Sequence, residues 1–281
     1  MLSTTPFRQA LTPYSIGPAR SIEESCRLAA SVGARGIDFF SNAVDWPMMR
    51  DHGLVCSLYK PDPGGGVSEL RRVDGPKGWN AIGLKEAQGE FLDEIHRCID
   101  LAADHGVPNI LLLAGTRHEV SYEEGADNAV EFCSRVRAHA EARGVMLVIE
   151  LVNSKGQFGP PLSLFDHAQW GFDVVRKVGS SHVKVLYDIF HAQLMDGDIA
   201  ATLRDHIELI GHIHVGGVPG RHQIDDTQEL NYGFLAGVIA ACGYRRFVSH
   251  EWIASPAVDA LVALQRSIAI LDEGARRALQ R

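Results

Sequence analysis

Four apolar runs in this chain each close on a residue that can hold a metal ion or move a proton. VMLVIE ends at Glu150, VKVLYD at Asp188, HIH at His214 and FVSHE at Glu251. A carboxylate or imidazole at the end of a buried run needs a partner, because burying it unpaired is costly. Singly, an Asp in such a place is ordinarily a helix cap or a loop hydrogen-bonder. Recurrence on four successive runs points instead to one shared partner. Three carboxylates brought into contact repel, and one must take up a proton unless a divalent cation neutralises them. Three oxygen donors and one imidazole suit Mn²⁺ or Mg²⁺, with Co²⁺ also fitting, better than a structural zinc in a closed thiolate and imidazole tetrahedron. The expectation is one divalent ion held by Glu150, Asp188, His214 and Glu251, with a position left open for substrate oxygens.

Other polar residues cluster around these ends. His191 lies three residues beyond Asp188 in YDIFHAQ, where an imidazole can donate to a substrate oxygen or orient a ligating carboxylate. Arg221, in GGVPGR, offers a fork of donors suited to a carboxylate or to vicinal hydroxyls. Lys155, in NSKGQF, and Lys60 read either as substrate contacts or as surface charges. His212 and His250 are expected to face away from the site, supporting it from behind or packing under helices.

The elements that must position these residues alternate along the chain. Short β-rich runs occur at 36–40, 54–59, 109–115, 145–153, 183–191, 212–217 and 245–252, and their near-continuous apolar character suits parallel strands covered on both faces. FRQALTPYS, 7–15, is a weaker first strand. Helical periods fill 21–34, 86–106, 122–143, 166–179, 197–210, 233–242 and 259–279, several closing on a glycine at 106, 144, 211 or 243. Ser21 and Glu24 have capping-box spacing, and Phe91, Ile95, Ile99 and Ala102 share one face of the 86–106 helix. Strict strand and helix alternation over 281 residues fits a doubly wound sheet or a closed eight-fold barrel. GPAR, 17–20, is no dinucleotide fingerprint, so the reading is α/β, a single-domain (βα)8 TIM barrel spanning 1–281. Two long connections, 60–83 and 153–167, follow strand ends and are expected to act as lids carrying Trp79, Phe158 and Phe165.

Composition narrows the partners. A formal net charge of −8 with no basic stripe argues against a nucleic-acid binder. No apolar stretch is long enough to cross a membrane and no targeting segment is apparent, which reads as a cytoplasmic protein. Five scattered cysteines, at 26, 56, 98, 133 and 242, form no CxxC pair and read as small apolar residues. Homodimeric and homotetrameric assemblies both stay open.

VKVLYDIFHAQLMDGDI, GHIHVGGVPGRHQIDDTQELNY and GYRRFVSHEW together resemble the hydroxypyruvate isomerase group of the xylose isomerase-like barrel superfamily, which also holds ketose 3-epimerases and inosose dehydratases. The resemblance is strongest over 145–252 and architectural before that. It implies that Glu150, Asp188, His214 and Glu251 hold the metal, that His191 and Arg221 bind substrate oxygens, and that Glu150 and Glu251 double as acid and base. The implied activity is metal-dependent isomerisation of a small α-hydroxy carbonyl compound or a ketose or aldose, through an enediolate. A ketose 3-epimerase or a keto-sugar or inosose dehydratase is the alternative on the same scaffold. One departure weakens a three-carbon substrate: hydroxypyruvate isomerases typically carry Gln where this chain has His214, and 3-epimerases carry His.

Overall fold

A computed structural model describes residues 5–17, 20–61, 81–118 and 120–280. The chain runs β1 (Arg8–Leu11), α1 (Pro13–Ile16), α2 (Ile22–Ser31), β2 (Gly36–Asp38), α3 (Trp46–Asp51), β3 (Val55–Leu58), α4 (Lys85–His105), β4 (Asn109–Leu112) and α5 (Tyr122–Arg143). It continues through β5 (Met146–Glu150), α6 (Ala168–Val178), β6 (Val183–Asp188), α7 (Ile189–Met195), α8 (Ile199–His206), β7 (Ile210–Val215), α9 (Tyr232–Ala241), β8 (Phe247–His250) and α10 (Ala260–Leu279).

All the strands pair in parallel, in the order β3-β2-β1-β8-β7-β6-β5-β4. The two ends of that order meet just past β3, where the Tyr59 amide donates to the Asn109 carbonyl at 2.9 Å and the Leu111 amide to the Tyr59 carbonyl at 2.8 Å. The result is a nearly closed eight-stranded TIM barrel in a single domain. Leu58, Leu111, Val148 and Leu186 plug its interior, and a far larger apolar layer lies between strands and helices. Both faces of each strand are thereby dry, which is why the strands read as unbroken apolar runs.

Local signals set the helix ends. Ser21 and Glu24 form the reciprocal capping box at the start of α2. Gly106 and Gly144 close α4 and α5 in the left-handed conformation. Phe91, Ile95, Ile99 and Ala102 are buried beneath α4. Gly211 is not a helix end: it lies within β7, where a Cβ would meet the side chains of Met146, Val148 and Lys184 at 2.6–2.9 Å. Three expected strand ends are also shorter than their apolar runs. The 7–15 segment turns into α1 at Pro13, and the 183–191 run turns into α7 at Ile189. The 36–40 run stops at Asp38, beside a register shift between Ile37 and Asp38, and Phe39 follows with φ of +64°.

Helices α9 and α10 cross without side chains between them at one point. A Cβ on Gly274 would lie 2.1 Å from the Gly233 carbonyl oxygen, so the contact is backbone on backbone. Gly274→Ala is expected to destabilise the fold by about 2–3 kcal/mol, since neither helix can retreat without opening the layer beneath. Thermal unfolding checks this as a fall in midpoint on the order of 5–10 °C.

Candidate active site

Parallel pairing delivers the four strand-end residues to one mouth. Asp188 and His214 are direct register partners across β6 and β7, and Glu150 ends the neighbouring β5. Glu251 follows β8, its amide bonded to the Val215 carbonyl at 2.9 Å. One ligand atom from each of Glu150, Asp188, His214 and Glu251 lies within 4.8 Å of all the others. His214 Nδ1 is 2.5 Å from Glu251 Oε2, 3.5 Å from Glu150 Oε1 and 3.7 Å from Asp188 Oδ2.

Asp188 serves two ends at once. Its Oδ1 accepts the His191 amide at 3.1 Å and caps α7, while Oδ2 faces the other carboxylates. The cap and the site therefore use different oxygens of one side chain.

Arg221 is the fixed cation of the cluster. Its Nη2 lies 2.6 Å from both Asp188 Oδ2 and Glu251 Oε2, and its Nε donates to the Glu251 carbonyl at 3.0 Å. The guanidinium lies over the Phe190 ring at 4.7 Å, and its residue adopts φ of +54°, a conformation that non-glycine residues hold only where the surroundings impose it. His191 Nε2 meets Arg221 Nη1 at 3.0 Å, and its Nδ1 faces the Asn153 amide nitrogen at 2.6 Å. Burial, opposed by the Asp188 charge, takes the His191 imidazole down to about 4, so it is neutral at pH 7.

The carboxylates are not equivalent. Burial raises Asp188, but Arg221 and His191 reverse that and hold it far below the usual range. Burial raises Glu150 as well; its contact with His214 opposes the shift, the Glu251 charge adds to it, and the net direction is up. Glu251 goes down, because Arg221 and His214 overcome the effect of its burial.

His214 Nδ1 has no aligned hydrogen-bond partner, and Glu251 Oε2, 2.5 Å away, has only the ionic contact with Arg221 Nη2 at 2.6 Å. An imidazole nitrogen without an aligned partner and three carboxylates converging on one point fit a divalent cation. These four residues would hold it, and the donor set suits an oxygen-favouring ion.

Above the cluster is a cavity of about 210 Å³ lined by Tyr14, Phe158, Arg221, Glu251, Trp252 and Ile253. At about 30 Å³ per water, it has room for roughly seven waters or a molecule of a few carbons. A larger hollow of about 1010 Å³ runs beside α9 and α10, past Arg204, Phe234 and Glu273, and includes none of the four clustered residues. The small cavity is lined by Glu251 of the four, together with Arg221.

The two long connections fare differently. Most of 60–83, with Trp79, lies outside the described residues. Lys60 is described and half-buried, its amide bonded to Ser41 Oγ at 3.2 Å. The 153–167 segment is pinned to the loop after β4: the Leu164 amide donates to the Gly115 carbonyl and the Arg117 amide to the Leu162 carbonyl. Phe165 is fully buried against Trp170 and covers nothing in the cavity. Phe158, at the exposed tip, stands edge-on to Phe190 and forms part of the cavity wall. Lys155 is exposed and is not among the cavity residues.

His250 faces outward as expected, with Nε2 at 2.7 Å from Gln9 Oε1. His212 does not. It points into the barrel, 2.9 Å from Asp38 Oδ2, because residues two apart on a strand share a face and His212 must follow His214. Asp38, fully buried, is the partner that sequence inspection missed: His214 Nε2 lies 3.0 Å from its Oδ2. The signal was present, since Asp38 closes an apolar strand as Asp188 does. Tyr14 and Trp252, on the cavity wall, carry no comparable mark in the sequence.

A nearly closed parallel barrel with carboxylates and an imidazole at the carboxyl ends of its strands defines a class of enzymes acting on small molecules at that mouth. The chain belongs to the xylose isomerase-like TIM barrel family, whose sequence model matches residues 26–274. It is 31% identical over 237 residues to a 2-oxo-tetronate isomerase from Cupriavidus necator, covering 80% of this chain and 84% of that protein. It is 27% identical over 254 residues to a human protein described as a candidate hydroxypyruvate isomerase, covering 80% of this chain and 83% of that one. Among solved structures, an L-ribulose 3-epimerase superposes with a TM-score of 0.77 over 98% of this chain and 96% of its own, at 17% identity. The two sequence relatives support an isomerase, and the solved structure shows the fold. No helix among the described residues is long and apolar enough to cross a membrane.

Proposed function

We propose that this chain is a divalent-metal-dependent isomerase of a small α-hydroxy carbonyl compound, moving a proton between neighbouring carbons with Glu150 and Glu251 as the acid and base. The observation that carries the reading is the convergence of Glu150, Asp188, His214 and Glu251 within 4.8 Å, with Glu251 also lining a cavity sized for a few carbons. The names of the relatives, 2-oxo-tetronate and hydroxypyruvate isomerases, supply the substrate class.

When bound, Mn²⁺, Mg²⁺ or Co²⁺ would act as a Lewis acid on a carbonyl and its neighbouring hydroxyl, which makes the adjacent C–H acidic. The chain's own residues do the rest. Glu150 and Glu251 come from β5 and the end of β8, the two outer strands of the four that build the cluster, so one can take a proton from carbon and the other can return one. Arg221, oriented by Asp188 and the Glu251 carbonyl, offers donors to the oxygen on which negative charge grows. Neutral His191 fixes that guanidinium from its other side. Phe158, Trp252 and Tyr14 wall the cavity and limit water, with Phe158 as the closing element. Lys155 would reach substrate only if its loop folds inward. A cytoplasmic homodimer or homotetramer completes the proposal.

The second reading is a ketose 3-epimerase, favoured by His214 in place of glutamine. Returning the proton to the opposite face of the same carbon needs only the same two glutamates. The test is incubation in deuterated water with a panel of hydroxypyruvate, 2-oxo-tetronate and free ketoses. Deuterium at the carbon next to the carbonyl, with a product of altered connectivity, supports isomerisation. Inverted configuration at that carbon supports epimerisation. A product lighter by one water means a dehydratase, and no label on any substrate sinks the enediolate chemistry.

A further inference from the structure

Inside the barrel, below the four clustered residues, a chain of hydrogen bonds runs from a backbone carbonyl to His214. The Asn109 amide nitrogen donates to the Ser57 carbonyl at 2.8 Å, which fixes the orientation of that amide, since an oxygen in its place would face another oxygen. The same nitrogen lies 3.3 Å from His212 Nδ1. His212 Nδ1 must therefore accept, and the proton of the neutral ring sits on Nε2. That nitrogen lies 2.9 Å from Asp38 Oδ2 and equally close to Ser249 Oγ. Asp38 Oδ2 has a second neighbour, His214 Nε2 at 3.0 Å, and Asp38 Oδ1 accepts the Ser57 hydroxyl at 2.5 Å. Asp38, His212, His214 and Ser249 are all completely buried, so water cannot replace a missing partner.

We propose that Asp38 is a positioning residue: by accepting the Nε2 proton of His214 it holds that ring, when a cation is seated among Glu150, Asp188 and Glu251, in the one neutral tautomer whose Nδ1 lone pair faces the cation. Without a cation, carboxylates face both ring nitrogens and hold the imidazole charged; once a cation takes the Nδ1 side, the opposite tautomer would set an Nε2 lone pair against the Asp38 oxygen at 3.0 Å. It would also place a proton where a cation must bind. An anionic partner makes the imidazole a stronger donor ligand as well as fixing its plane. His212 shares the same oxygen and is locked from behind by Asn109, so Asp38 cannot rotate toward an alternative donor. The inference rests on the metal site proposed above and adds the element that pre-forms its nitrogen ligand.

Two measurements decide it. In the Mg²⁺-loaded wild-type protein, imidazole nitrogen NMR is expected to show His214 protonated at Nε2 with Nδ1 bound. A proton on Nδ1, or ligation through Nε2, overturns the inference whether or not any variant folds. In calorimetric titration with Mn²⁺, Asp38→Asn is expected to bind 10- to 100-fold more weakly than wild type. Asparagine keeps the size and can still accept from both rings, with the Ser57 hydroxyl turning to accept from its amide. Ser57→Ala, which removes a donor from Oδ1 and leaves both rings in place, is expected to stay within about threefold of wild type. Equal Mn²⁺ affinity in wild type and Asp38→Asn overturns the strengthening of His214 by an anionic partner, the NMR result decides the tautomer, and absence of Mn²⁺ binding by wild type overturns the metal site itself.

Discussion

Glu251→Gln is expected to lower kcat by about 10³-fold, within the range that loss of a general acid or base produces. The substitution keeps the volume and one oxygen of the side chain but removes its charge. Two effects then act together. The carbon acid loses a candidate base, and the ligand set falls from three carboxylates to two. Arg221 also loses one of its two anionic partners, although Asp188 still holds it at 2.6 Å. Because Glu251 keeps 13% of its side chain exposed toward the cavity, the substitution leaves no uncompensated charge in a dry core, and circular dichroism should be unchanged. Glu150→Gln should behave in the same way. Retention of activity within tenfold in both variants would remove the two glutamates from the chemistry.

Chelation is the second large effect. Removing the divalent ion is expected to abolish turnover and to lower the thermal midpoint, and Mn²⁺ should restore both. A ligand present at a hundred times its dissociation constant stabilises the folded state by about 2.7 kcal/mol. At this chain length that corresponds to roughly 5–10 °C. The physical source is the cluster itself. Asp188, Glu150 and Glu251 lie around one point with a single guanidinium beside them, so their mutual repulsion is incompletely balanced until a second cation enters. A midpoint and a rate indifferent to chelator would mean that Arg221 and His214 suffice as counter-charges and that the cation has no part in the reaction.

The barrel and its four strand-end residues were legible because each rests on a local pattern. An apolar run of strand length that stops at a carboxylate or imidazole can be seen without knowing what lies beside it, and parallel topology then gathers the ends. Asp38 obeys the same rule, but GIDFF reads through it: two phenylalanines continue the apolar run, while the chain itself turns at Phe39. His212 shares β7 with His214 two residues on, so it takes the inward face, whereas His250, next to Glu251, takes the outward one. The strand boundaries at Pro13 and Ile189 were hidden for a related reason, since short helices that begin at a strand end carry no period of their own. Tyr14, Trp252 and the contact between Gly233 and Gly274 are products of tertiary packing. No spacing in the sequence marks them.

The most direct test of the account is metal analysis of the protein after saturation with Mn²⁺ and dialysis, carried out beside Asp188→Asn. The account predicts one ion per chain in the wild type and a loss of most of it in the variant, because Asp188 Oδ2 is at once a cluster oxygen and the partner of Arg221. An ion-free wild type, or a variant that retains the ion as well as the wild type does, would contradict it.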